Sequence, residues 1–306
     1  MLQLILLAGA SFAAVSASTS RPWRYENHDQ AAAIVAPCNA STAVVCPAPA
    51  TGCCVSPYSP ANKTGCLVPA LAGPTGPGCA PPCHNPGTTC CTPGAPLPLS
   101  TTLKNVLIFG DSVSIDYTGD VKTNLSDIAL VQHAPWDTSD GGAGSTSFMV
   151  NCLDVFLRHA DGSPTRWDLI FFNTGLHNLN NSTQGLAAYK SQLAQIVSGL
   201  QKLQPQAKLV WATTTPFMPD KTTGNFAVEE QNKLAATIMA ANHIPSVDLY
   251  ARVTSQCGEL YTNCSLCDDE SRYHPGIYCG YHYSGAGFAY IGETVSAAIR
   301  LYLGKL

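Results

Sequence analysis

The sequence predicts an α/β domain, an open parallel sheet with helices on both faces, preceded by a small disulfide-rich module. Three observations carry this. Short apolar runs recur after residue 103, as strands buried on both faces do. Segments with apolar residues three and four apart lie between them. Nine of the fourteen cysteines crowd between Cys38 and Cys91, in a stretch with no periodic apolar pattern.

In chain order, residues 4–15 form an apolar stretch too short to span a bilayer, ending in the small residues Val15-Ser16-Ala17. Residues 1–17 are therefore expected to be a secretory signal peptide, even with no Lys or Arg near Met1. Residues 18–99 are rich in Pro, Gly, Ala, Thr and Cys. Such a segment buries too little apolar surface to fold unaided, so covalent staples must substitute. It carries a faint repeat: Cys46-x6-Cys53-Cys54 recurs as Cys83-x6-Cys90-Cys91. A binding module for carbohydrate or cell wall and a plain stapled stalk are equally compatible with it. Residues 93–98, with three prolines, read as a stiff extended linker.

The α/β domain is expected over residues 103–306. Val106-Leu107-Ile108-Phe109 reads as the first buried strand, residues 168–172 as the second, 209–212 as the third, and 246–249 as the end of a fourth. Tyr189, Leu193, Ile196, Val197, Leu200 and Leu203 fall on one helix face. Residues 148–157, 228–241 and 287–303 show the same spacing. Alternation of strand and helix argues for a parallel sheet covered on both sides. In such sheets ligands bind outside the carboxyl ends of the strands.

Charged residues make up 12% of the 306, the net charge is −4, and no basic block exists, which argues against a nucleic-acid partner. No stretch after the leader is long and apolar enough for a membrane span. The cysteine density suits an oxidising compartment. The remaining five cysteines are Cys152, Cys257, Cys264, Cys267 and Cys279. Both groups are odd in number, so either one bridge joins them or each keeps a free thiol. Asn39, Asn62, Asn124, Asn180, Asn181 and Asn263 each begin an Asn-X-Ser/Thr sequon, which also fits a secreted glycoprotein. The cysteines and histidines lack zinc-site spacing, so neither metal nor cofactor is expected.

Gly110-Asp111-Ser112 directly follows the first strand, and the helix expected after Ser112 aims its amide groups at an incoming carbonyl oxygen. No Gly-X-Ser-X-Gly surrounds Ser112, which argues against an α/β-hydrolase elbow. Gly110-Asp111-Ser112-Val113-Ser114 resembles block I of the SGNH (GDSL-like) hydrolases. Gly144-Ser145-Thr146 resembles block II, Gly175-Leu176-His177-Asn178 stands in place of block III, and His282, in Gly280-Tyr281-His282-Tyr283-Ser284, in place of the final block. The resemblance spans residues 103–306. It implies a three-layer, flavodoxin-like SGNH fold and a serine carboxylic ester hydrolase. Ser112 would be the nucleophile and His282 the general base. The amides of Ser112 and Gly144, with His177 or Asn178, would hold the oxyanion. Acetyl or other short acyl groups, on an ester substrate such as an acylated carbohydrate, are the implied targets.

The chain departs from the family pattern twice. His177 stands where the oxyanion asparagine is usual, and a neutral imidazole offers one N–H for that role. No Asp lies two or three residues before His282. Asp268, Asp269 or Glu270 can supply the third member if a Cys267–Cys279 bridge folds that loop back; otherwise a backbone carbonyl must orient His282, leaving a Ser-His dyad. His274 ranks below His282 because it lacks the following Ser-X-X-Gly helix entry. An O-acyltransferase and a catalytically impaired glycan-binding protein are the alternatives.

Overall fold

The structure is a computed structural model that describes residues 66–67, 90–91, 95, 97–135, 142–159, 164–179, 182–217, 224–258, 264–267 and 281–305. The expected signal peptide, nearly all of the cysteine-rich segment, five of the six sequons, Asp268, Asp269, Glu270 and His274 lie outside the described residues.

Five strands, β1 (Lys104–Phe109), β2 (Ala129–Ala134), β3 (Leu169–Phe172), β4 (Lys208–Ala212) and β5 (Ser246–Val247), form one sheet in the order β2-β1-β3-β4-β5. Every pairing is parallel, with Val106 opposite both Val131 and Leu169. This is the flavodoxin-like order, which reverses at β1 and so opens a crevice beyond its carboxyl end. Among the described residues six helices accompany the sheet: α1 (Ser112–Asn124), α2 (Thr146–Phe156), α3 (Thr183–Leu203), α4 (Gly224–Ala241), α5 (Leu249–Cys257) and α6 (Gly285–Leu303).

Strand alternation divides the core in two. Leu107, Phe109, Ile170, Phe172 and Trp211 face one side and pack with α2, α3 and residues of α4. Val106, Ile108, Leu169, Phe171 and Val210 face the other and pack with α1, α5 and α6. Runs apolar on both faces are what a doubly covered parallel sheet requires, and Val106, Leu107, Ile108 and Phe109 are each 0% exposed. The helix face expected on α3 is also observed: Tyr189, Leu193, Ile196, Val197 and Leu200 are buried, while Leu203 at the last turn is exposed.

The four expected strands are present, and the sequence reading missed β2. Gln132 and His133 interrupt its apolar run, which reads as a surface segment. Both are nonetheless buried because they have partners. The Gln132 amide exchanges hydrogen bonds with the Leu97 backbone at 2.9 and 3.0 Å, and His133 bonds Ser114 and Pro135. The expected second strand began one residue early. Asp168 instead turns its carboxylate to the Asn105 amide at 2.8 Å and to Lys104 at 2.7 Å.

The segment expected to be a stiff linker is attached to the domain where it is described. Ala95 is 1% exposed, belongs to the α2–α3 core, and bridges to His159. Leu97 is held by Gln132 on edge strand β2, so the chain is docked on the domain at Ala95 and Leu97. Among the described residues no helix is long and apolar enough to cross a membrane, and no cluster of three His, Cys, Asp or Glu is arranged to hold a metal.

Candidate active site

The sheet brings Gly110-Asp111-Ser112, Gly144, the Gly175–Asn178 loop and His282 to the carboxyl ends of β1 and β3. Asp111 caps α1: its extended backbone (φ −83°, ψ −167°) turns the chain, and its carboxylate accepts the Val113 amide at 3.2 Å. Ser112 is thereby the first residue of α1 and is half-buried. A loop from β2 returns beside this turn through Gly142 and Gly144, both in the left-handed region (φ +63° and +57°) that a side chain would strain. Gly142 bridges Asp111, and the Ala143 amide donates to the Gly110 carbonyl at 2.8 Å. Ser145 then caps α2.

His282 is fixed from three sides. The Ser284 amide donates to the Leu266 carbonyl at 2.9 Å, and the Ser284 hydroxyl caps α6 by accepting from Gly287. The Tyr283 hydroxyl donates to the Pro216 carbonyl at 3.1 Å. Leu266 lies on a turn anchored to the end of α5 by the Cys257–Cys264 disulfide. Between these supports, His282 Nε2 lies 2.7 Å from Ser112 Oγ across 170 positions of sequence. With the ring proton on Nδ1, Nε2 accepts the serine hydroxyl, the ground-state geometry of a nucleophile and its base.

The third loop divides its two polar residues. Asn178 is turned to α2: its Oδ1 accepts the Thr146 amide at 2.9 Å and its Nδ2 donates to Thr146 Oγ1 at 3.0 Å. Gln231 holds the Asn178 carbonyl from α4. Asn178 therefore clamps the start of α2 with its Oδ1 and one N–H of its Nδ2. His177 is exposed on the 3-10 turn Leu176–Asn178. Removing the clamp through Asn178→Ala strands a Thr146 amide at the base of the Gly144 loop. The expected cost is about 1–3 kcal/mol of stability, measurable by chemical denaturation. An unchanged denaturation midpoint would show that the clamp is idle.

Beneath Ser112 is a polar layer that sequence reasoning passed over. Asp111 is 1% exposed. Burial raises its pKa, opposed by the charge of His177 and by backbone hydrogen bonds. Its Oδ2 has no partner among the described residues. Behind it, Ser114 Oγ lies 2.6 Å from the Asp111 carbonyl and 2.7 Å from His133 Nε2. His133 Nδ1 donates to the Pro135 carbonyl at 3.0 Å. The only signal in the sequence for this layer is Ser114, two positions after Ser112; nothing local marks His133 as its partner. At the rim, Phe217 stacks on Tyr281 with centroids 4.2 Å apart. Asp248 caps α5, as its place after a strand suggests, with the Ala251 amide at 2.9 Å. Asn124 is the one sequon asparagine among the described residues, exposed at the end of α1.

No protein-family model matches the chain, and no curated protein sequence matches it. Solved structures do. An acetyl xylan esterase, AlAXEase, superposes with a TM-score of 0.49 at 13% identity over 64% of this chain and 99% of its own. Est24, a carbohydrate acetylesterase from Sinorhizobium meliloti, gives 0.43 at 14% identity over 65% and 99%. A member of the lipolytic G-D-S-L family from Veillonella parvula gives 0.47 at 15% over 65% and 98%. The parallel sheet with the serine-bearing turn after β1, where the strand order reverses, is the architecture that the four sequence blocks imply.

Proposed function

We propose that this chain is a serine ester hydrolase acting through an acyl-enzyme on Ser112. The observation that carries the reading is the 2.7 Å approach of Ser112 Oγ to His282 Nε2 at the carboxyl end of the sheet. In this mechanism the Ser112 oxygen attacks the ester carbonyl carbon while His282 Nε2 takes the hydroxyl proton. Collapse of the tetrahedral intermediate breaks the bond to the alcohol, which leaves with that proton. Water, deprotonated in turn by His282, then hydrolyses the acyl-enzyme and frees Ser112. Charge on the carbonyl oxygen is held by the amides of Ser112 and Gly144 and by His177, the third-loop residue whose side chain is not engaged in the α2 clamp.

A carboxylate from Asp268 or Asp269 completing a triad belongs to the same proposal. So do export of the chain, glycans on its sequons, and a short acyl group on a carbohydrate as substrate. Support for these comes from the leader-like residues 1–17, the cysteine density and the four family-like blocks.

The test is labelling by a fluorophosphonate probe together with hydrolysis of p-nitrophenyl acetate. The expected result is one labelled site, on the peptide carrying Ser112, and turnover that the probe abolishes. Absence of both sinks the proposal in favour of a binding protein. Adding an acceptor sugar distinguishes hydrolysis from acyl transfer, since a transferase would release p-nitrophenol faster and yield an acylated sugar. His177→Ala is expected to lower kcat by about 100- to 1000-fold with KM little changed, as loss of one oxyanion donor does. Equal kcat in the variant would remove His177 from the site.

A further inference from the structure

The two cysteine groups meet at one identifiable place, and this conclusion does not depend on the esterase reading. Nine cysteines lie in residues 38–91 and five in the α/β domain. Within the domain, Cys257 and Cys264 bridge each other. Cys152 and Cys267 are also both oxidised. They are not each other's partners. Cys152 is buried in the core on the α2–α3 side of the sheet, and Cys267 packs against the core on the α1–α6 side. A disulfide requires Cα atoms within about 7 Å, which the intervening sheet forbids. Only Cys279 remains in the domain, and it can serve one of the two. At least one of Cys152 and Cys267 therefore bonds to the N-terminal group.

The described backbone says which. Residues Cys90–Cys91 form a short strand that packs against α2, the helix carrying Cys152. The chain after that strand stays on the same ground: Ala95 is buried in the same core cluster as Cys152, Met149, Leu153 and Phe156. Leu97 then runs to Gln132 on the adjacent edge strand. We propose that Cys152 on α2 is disulfide-bonded to the adjacent pair Cys90–Cys91, fastening the cysteine-rich segment covalently to the α/β domain. The bond forms by two-electron oxidation of two thiols, with the oxidant supplied by the thiol–disulfide exchange machinery of an oxidising compartment. It lands on the helix whose first turn follows Gly144 and is clamped by Asn178. The module is thus an attached part of the domain and not a tethered appendage.

The full-length protein, alkylated at free thiols and digested without reduction, should give a cross-linked pair joining the Cys152 peptide to the peptide bearing Cys90 and Cys91. Fragmentation of that pair identifies which of the two is bonded. In a Cys152→Ala variant, unfolded without reductant, maleimide labelling should rise by one thiol, located at Cys90 or Cys91. If the variant does not fold, the wild-type map alone decides. A bridge from Cys152 to Cys279 or to any other cysteine, or recovery of Cys152 as an alkylated free thiol, overturns the assignment.

Discussion

Ser112→Ala is expected to lower kcat/KM for p-nitrophenyl acetate by roughly 10,000- to 1,000,000-fold, and His282→Ala by nearly as much, with the double variant no worse than either. The reason is the shared proton. Nε2 is 2.7 Å from the serine oxygen, so neither group does its work without the other. Removing the base leaves a neutral hydroxyl of ordinary alcohol reactivity, and removing the hydroxyl leaves the base with nothing to activate. Two residues that act as one unit give strongly non-additive losses, whereas independent binding contacts would multiply. Product release followed at 400 nm on the three variants and wild type tests this. A Ser112→Ala protein as active as wild type ends the case for an acyl-enzyme, and multiplicative losses would separate the two residues into different roles. Asp268→Asn, Asp269→Asn and Glu270→Gln, run in the same series, discriminate triad from dyad. A carboxylate that fixes the imidazole tautomer is worth about 10,000-fold, and a dyad oriented by a carbonyl would be indifferent to all three changes.

What was legible in the sequence followed from how local each signal is. The runs at β1, β3 and β4 are apolar on both faces, which only a covered parallel strand tolerates, so four residues suffice to identify them. Ser112 and His282 were legible because Ser112 opens a helix directly after a buried strand and His282 lies two residues before the Ser284 cap of another, though they are 170 positions apart. β2 was not legible, because its buried polar residues find partners in Leu97, Ser114 and Pro135, two of them far along the chain. The clamp made by Asn178 was illegible for the same reason. Its neighbours in sequence suggest a donor facing substrate, while Thr146, 32 positions earlier, takes both ends of its amide. The docking of Ala95 was not legible either, because a proline-rich stretch looks extended in sequence whether it is solvated or docked.

The second large effect is acid sensitivity set by His133. Burial pushes its pKa from 6.5 down to about 4, the carbonyl of Pro135 opposing and the charge of Lys122 adding to the shift. The sign follows from where protons bind. Above pH 6.5 the imidazole is neutral in both states and the pH has no leverage. As pH falls from 6.5 toward 4, the unfolded chain takes up a proton that the native site refuses, so stability drops by about 3 kcal/mol and then levels off. Protonating the native ring would place a charge in a buried site, which is the cost that holds its pKa down. Asp111 works in the opposite sense: its pKa is raised, so protonation in acid relieves a cost that the native state carries at neutral pH. The two contributions overlap, and a single denaturation curve in acid mixes them. His133→Gln separates them, since glutamine binds no proton and leaves Asp111 in place. The difference in unfolding free energy between wild type and His133→Gln, measured by urea denaturation from pH 7 to pH 4, should shrink by about 3 kcal/mol in favour of the variant as pH falls. A difference that stays flat across that range would mean that His133 takes up its proton as readily in the native protein as in the unfolded chain, and that the layer beneath Ser112 is open to water.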